Sequence, residues 1–247
     1  MSKGVVGIGD SFTWGEGLYF YSGLDELPLK PTHEFSEEEV KLSHRLYKNK
    51  NGYVNLVAEY YNTWSLLGEG NGGDNVFSFK QRLNRMFGKN ALSKSDVSLF
   101  IFQFTQIFRN SNYSLQEQIQ YVDHHLLELE KHGIKCVSIC WTYDITRKDS
   151  IYWDLFKDRH VQLKFNNEIY DNFEEMSRVP NSNITILSDF NPLNYQKNDL
   201  HLNLKGQRIL ADSIIQKLEH DNFWIPSNFD INEEYINKHR MNPKNEI

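Results

Sequence analysis

The sequence predicts an α/β fold: a parallel sheet of five strands covered by helices on both faces. Two observations carry this. Short apolar runs alternate five times with segments of helical spacing, the pattern that builds a doubly covered parallel sheet. The first run, Val5 to Ile8, is bounded by glycines, as expected of a strand buried on both sides. A chain of 247 residues suits one such core with decorations better than two domains.

The elements follow in order. After the first strand, residues 19–50 are polar and irregular, with Pro28, Pro31 and a capping-box pattern at Ser36 to Glu39; this reads as an insertion over one rim. Asn51 to Asn62 places Val54, Val57, Ala58 and Tyr61 at helical spacing, and Thr63 to Leu67 returns to a strand. A glycine cluster, Gly68 to Gly73, precedes a helical stretch from Val76 to Phe87. Asp96 to Phe104 is the most β-like run in the chain and is read as the central strand. Ser114 and Glu117 form a second capping box, opening an amphipathic helix to Lys131 that ends at His132-Gly133. A strand from Ile134 to Trp141, a helix around Phe165 to Met176, a strand from Ile184 to Leu187 and a helix from about Leu204 to Leu218 complete the pattern. The expected organisation is one domain over 1–220 and an extension over 221–247, polar from Asp221 onward, that wraps the surface or frays.

Composition narrows the function. The formal charge is -6, and no stretch strings together five or six Lys or Arg, so nucleic acid and anionic membrane are not expected partners. Neither a signal peptide nor a membrane span is recognisable, and a cytoplasmic location is expected. The two cysteines, Cys136 and Cys140, fall four apart in one predicted strand. Extended geometry separates them by roughly 13 Å, beyond disulfide reach. Asp123, His124, His125 and Glu128 resemble a metal cluster, but adjacent histidines on a helix face different directions, so a solvated helix face is expected and no metal or other cofactor.

Two segments carry chemistry. In Gly7-Ile-Gly-Asp-Ser-Phe-Thr13, Ser11 falls just past the first strand, where a turn permitted by Gly9 exposes side chains at the rim. If a helical turn begins after Asp10, the backbone amides at its N-terminus point toward an anion formed at Ser11 and give it one oxyanion donor. The plainer role for Asp10-Ser11 is a helix N-cap. In Asn198-Asp-Leu-His-Leu-Asn-Leu-Lys-Gly206, an Asp and a His stand together before the last helix. A serine hydroxyl needs a base, and a histidine held in one tautomer by a carboxylate supplies it. Both segments are predicted to leave the same edge of the sheet, where parallel α/β folds bind their ligands.

Gly9-Asp10-Ser11, together with the His201, Asn203 and Gly206 segment, resembles the first and last blocks of the SGNH/GDSL hydrolases. The opening Gly9 to Gly17 is similar to a phage- and bacteria-associated branch of that superfamily. The resemblance runs from residues 4–17 to 198–212 and implies a flavodoxin-like three-layer α/β/α sandwich with a Ser-His-Asp site. It implies Ser11 as nucleophile, His201 as base and Asp199 as the orienting acid. The family's acid stands three residues before the histidine, where this chain has Asn198. For the oxyanion hole, the Ser11 amide is joined by Gly72 or Gly73, with Gly73 the choice. In place of the family's block III asparagine, Gln106 or Thr105 offers a donor, with Gln106 the choice.

Trp14, Trp141 and Arg109 are candidates for binding substrate, since flat aromatic faces suit sugar rings and an arginine suits a carbonyl or anion. Trp141 has an equal claim to a core position. The expected activity is hydrolysis of a small O-acetyl ester, on a small molecule or a glycan. An O-acetyltransferase uses the same machinery if water is excluded. A binding or virion-associated module that has kept the scaffold without turnover is the rival of another class. Nucleotide binding has little support, because the glycine cluster lacks the Lys-Ser/Thr of a phosphate loop.

Overall fold

In the computed structural model, the described residues are 3–9, 13, 36, 52–67, 76, 78–88, 92–104, 113–180, 182, 184–185 and 201–226. The insertion at 19–50, Ser36 apart, and the glycine cluster lie outside them. Six strands and seven helices are described, in the order β1 (Gly4–Ile8), α1 (Tyr53–Tyr60), β2 (Ser65–Leu67), α2 (Ser78–Met86), β3 (Val97–Phe104), α3 (Leu115–Glu130), β4 (Lys135–Cys140), α4 (Tyr143–Thr146), α5 (Tyr152–Phe156), β5 (Leu163–Phe165), β6 (Glu168–Tyr170), α6 (Phe173–Ser177) and α7 (Leu204–His220).

The main sheet has the order β2-β1-β3-β4, and every pair in it is parallel. The chain leaves β1 toward β2 on one side and returns to β3 on the other, so the flavodoxin-like switch point falls between β1 and β3. Alternation along the strands divides the core into two layers. Val5, Leu99, Ile101, Val137 and Ile139 pack with α1 and α7, while Val6, Ile8, Phe100, Phe102, Phe104, Cys136 and Cys140 pack with α2, α3 and α5. A parallel sheet so covered is an α/β/α sandwich. At Gly7 a side chain would strike Val54, so α1 lies directly on β1.

The sheet differs from the five-strand expectation: among the described residues it has four strands. Ile184 and Thr185, the described part of the expected fifth strand, have carbonyls that accept from the Asn203 N–H at 3.0 Å and the Asn203 Nδ2 at 3.1 Å. Thr185 forms an antiparallel bridge with Leu202. The place beside β4 goes to Arg159–Val161, since the Ser138 N–H donates to the Arg159 carbonyl and the Val161 N–H to that of Ser138, with a parallel bridge between Ser138 and His160.

The helix expected over Phe165 to Met176 is a second correction. Residues 163–170 form the antiparallel hairpin β5-β6, and only Phe173–Ser177 is helical. The two-residue loop is Asn166-Asn167, with φ of 49° and 63°. Paired left-handed residues match the strand twist in a tight hairpin, and asparagine tolerates that conformation. Asn172 then caps α6 by accepting from the Glu175 N–H at 2.9 Å. The capping box of α3 forms as the sequence predicts: Ser114 Oγ accepts from the Glu117 N–H at 3.2 Å, and the Glu117 carboxylate from the Ser114 N–H at 2.7 Å.

Buried polar groups pin the Arg159–Val161 edge. Arg159 reaches both oxygens of Glu130 at 2.7 Å and Asp123 at 2.5 Å, which commits Asp123 to structure. Among the described residues no group of His, Cys, Asp and Glu side chains is arranged to hold a metal. Burial pushes the free thiols of Cys136 and Cys140 up. The chain beyond Asp221 is tied in as far as Ile225, which is fully buried in the same cluster as the α1 and α7 side chains.

Two outcomes follow from this architecture. Asn167→Val is expected to lower unfolding stability in urea by about 1–2 kcal/mol, the cost of a branched residue in the left-handed region, whereas Asn167→Gly keeps it. Asp171 stands 3.5 Å from His160 Nε2 and accepts from Lys148 Nζ and Gln162 Nε2; His160 first, then Lys148 and Gln162, hold its carboxyl well below the usual range. A depressed carboxyl contributes stability above its unfolded pKa and loses it as pH falls through the folded one. An acid titration of thermal stability is therefore expected to show a loss below about pH 4 that Asp171→Asn makes shallower.

Candidate active site

The C-terminal edge of β1 and β3 carries a set of buried polar side chains in an otherwise apolar core. Gln103 is the one amide in β3, 1% exposed, and its parity along the strand turns it toward the α1 and α7 layer. Its Oε1 accepts the hydroxyl proton of Thr13, which is 4% exposed and lies two residues beyond Ser11. Since threonine has a single hydroxyl proton, the Tyr53 hydroxyl, 2.8 Å away, is the donor to Thr13 Oγ1. The Tyr53 backbone N–H in turn donates to Gln207 Oε1 at 3.0 Å, in the first turns of α7. Four groups, all buried, thus run from the end of β3 through the segment after β1 to the start of α7.

Two further contacts fix the end of β1. The Arg82 guanidinium, 4% exposed on α2, donates to the Gly9 carbonyl. Any side chain at Gly9 would collide with the Thr13 hydroxyl and Gln103, so only glycine permits this packing.

The start of α7 is held as firmly. Asn203 Oδ1 accepts from the Gly206 N–H at 3.0 Å, making Asn203 the N-cap. Its N–H and Nδ2 reach the Ile184 and Thr185 carbonyls. A Cβ on Gly206 would stand 2.5 Å from the Ile184 carbonyl oxygen. These contacts account for the Asn and Gly that follow His201 at fixed spacing, and they leave His201 half-buried, one residue before the Thr185–Leu202 bridge.

The sequence-predicted residues divide accordingly. His201 is placed at the α7 entry, on the layer that also holds Thr13 and Gln103. Ser11, Asp199, Gly73, Gln106, Trp14 and Arg109 lie outside the described residues, as do Asn198, Gly72 and Thr105. Trp141 is 1% exposed and stacks on Phe173 with ring centroids 5.4 Å apart, which makes it a core residue. Sequence reasoning missed Tyr53, Arg82, Gln103 and Gln207. Their signal was present, since each is a polar atom at an apolar position of its element: Gln103 within Val97 to Phe104, and Gln207 between the buried Leu204 and Leu210 of α7.

No family model and no curated protein matches the sequence. Among solved structures, the fold is similar to that of the psychrotrophic esterase EstA from Pseudoalteromonas sp., at 10% identity over 89% of this chain and 98% of that one, with a TM-score of 0.44. It is also similar to a carbohydrate esterase whose active site displays divergent catalytic and non-catalytic binding functions, at 14% identity over 88% of this chain and 68% of that one, with a TM-score of 0.45. Likeness at this level carries no weight for activity, and the fold rests on strand order and layering.

A double-mutant cycle tests the buried chain of hydrogen bonds. Thr13→Val and Tyr53→Phe are each expected to cost about 1 kcal/mol or more of unfolding stability, with a coupling of at least about 0.5 kcal/mol between them. Strict additivity would show that the two hydroxyls do not meet.

Proposed function

We propose that the protein is a serine esterase of the SGNH type, in which Ser11 attacks a small ester, acetyl above all, with His201 as base and Asp199 as the group that orients it. The observation that carries this reading is the hydrogen-bonded series Gln103, Thr13, Tyr53 and Gln207. It fastens the residue two beyond Ser11 and the first turns of the helix after His201 to one another, at the crevice where parallel sheets of this order bind ligands.

In the proposed reaction the imidazole of His201 takes the Ser11 proton as the oxygen attacks the ester carbonyl, and returns it to the departing alcohol. Water then releases the acyl group by the same path in reverse. The developing oxyanion is held by the Ser11 amide, the Gly73 amide and the Gln106 side chain. A carboxylate at Asp199 accepts from the other imidazole nitrogen and keeps the tautomer that leaves a lone pair toward serine. No step calls for a cofactor. Trp14 and Arg109 are proposed to receive the alcohol part, for which a sugar offers the apolar ring faces and hydroxyls that such a pair binds.

Acetate release from 4-nitrophenyl acetate and labelling by a fluorophosphonate test the assignment together. The wild type is expected to turn over and to take the label on Ser11, while Ser11→Ala and His201→Gln lose activity by several orders of magnitude with unchanged melting temperatures. Gln106→Ala is expected to lower kcat by about 10²–10³-fold, the usual effect of one oxyanion donor. A folded wild type that neither hydrolyses the ester nor takes the label would overturn the proposal in favour of an inert binding module.

A further inference from the structure

A second concave site lies away from the α7 entry, between α5, β5 and the C-terminal half of α7. Its cavity of about 380 Å³ is lined by Trp153, Lys157, His160, Lys164, Ser213 and Lys217, among others. Gln216, also on its wall, follows Leu204 by twelve residues of α7, about 18 Å at the helical rise. The cavity is therefore distinct from the proposed esterase crevice.

Its charge is one-sided. The described lining contains three lysines and two histidines, His160 and His220, and no carboxylate, in a protein whose formal charge is -6. Lys217 is engaged with Asp221, which also accepts from Lys135, so this cluster of two cations and one anion remains positive. Lys157 and Lys164 make no side-chain hydrogen bond or ion pair among the described residues. Two exposed ammonium groups without an ion pair among the described residues attract an anion into the space they border.

The floor supplies a directed donor. The His160 side chain is 2% exposed, with Nδ1 2.7 Å from the Tyr152 hydroxyl and Nε2 3.5 Å from Asp171 Oδ1. The latter is longer than a well-formed hydrogen bond, and among the described residues Nε2 has no hydrogen-bond partner. An unprotonated Nε2 would set its lone pair against the Asp171 carboxylate, so the proton sits on Nε2 and Nδ1 accepts from Tyr152. Burial, first of all, raises the Tyr152 phenol well above its ordinary pKa, which keeps its proton in place to make that bond. Ser138 Oγ lies 2.9 Å from the same hydroxyl and completes the support behind the ring. The result is a rigid, buried N–H on the cavity floor, whose nearest described acceptor, Asp171, stands too far away for a well-formed bond.

We infer that this cavity binds a phosphate group, free or as the monoester of a small molecule, with Lys157 and Lys164 as its counter-charges and His160 Nε2–H as its buried donor. Lysines serve as point charges for phosphate, and an imidazole N–H adds direction. The volume falls in the range of small-ligand sites and leaves room for more than the phosphate itself.

Titration of the full-length protein with inorganic phosphate, glucose 6-phosphate and AMP in turn, at constant ionic strength and followed by ¹H–¹⁵N spectra, tests the site. Saturable shifts are expected at Lys157, Gln162, Lys164 and Gln216, and the probe that saturates first tells free phosphate from a sugar or nucleoside monoester. Lys157→Ala/Lys164→Ala, at two exposed positions, is expected to keep its melting temperature and to weaken binding at least about tenfold, or 1.4 kcal/mol. Ser11→Ala is expected to bind as the wild type does, which separates this site from the esterase reading. The inference fails if none of the three probes saturates, if the double variant binds as well as wild type, or if the shifts gather around Thr13 and His201.

Discussion

The fold depends at its functional edge on satisfying a few polar atoms inside an apolar sandwich. Gln103, Thr13, Tyr53 and Gln207 are each 4% exposed or less, and a buried amide or hydroxyl left without a partner costs about 1–3 kcal/mol. Each of the four is answered by another from a different part of the chain, so none can be moved alone. The sheet supplies direction, because β1 and β3 end side by side in parallel. The buried hydrogen bonds supply register, because they allow one relative position of the segment after β1, the start of α1 and the start of α7.

Much of this was legible from residue order. The strands around Val5, Ser65, Phe100 and Val137, and the long helices with the cap at Ser114, follow from apolar periodicity and side-chain capping, both local properties. The hairpin at Asn166-Asn167 was readable in principle, since two asparagines between alternating residues suit a tight turn, but an apolar spacing that also fits a helix obscured it. The edge beside β4 was not readable. Ile184 has the composition of a strand and lies instead under Asn203, because the carbonyls of Ile184 and Thr185 are claimed by the cap of a helix whose start they meet only in three dimensions.

The candidate site shows the same division. His201 announces itself through its residue type beside an Asp, Asn203 and Gly206 only through the family resemblance, and the structure gives the latter two a mechanical reason: one caps α7 and the other lets it approach the Ile184 carbonyl. The supporting residues do not announce themselves. A glutamine within β3 signals only that some partner must exist, and naming Thr13 as that partner requires knowing that position 13 returns beneath β3.

Helix α7 then connects the two sites proposed for the molecule. Its N-terminal turns are fixed by Asn203, Gly206 and Gln207, and its C-terminal half by Ser213, which accepts from the Lys164 N–H, and by Lys217 and Asp221. A helix held at both ends behaves as a rod, and its position cannot adjust to one end without loading contacts at the other. Charge accumulated on Lys157, Lys164 and Lys217 repels, and a bound phosphate relieves that repulsion across α5, β5 and α7 at once. The two proposed sites therefore share one element, each drawing on contacts at its own end of it.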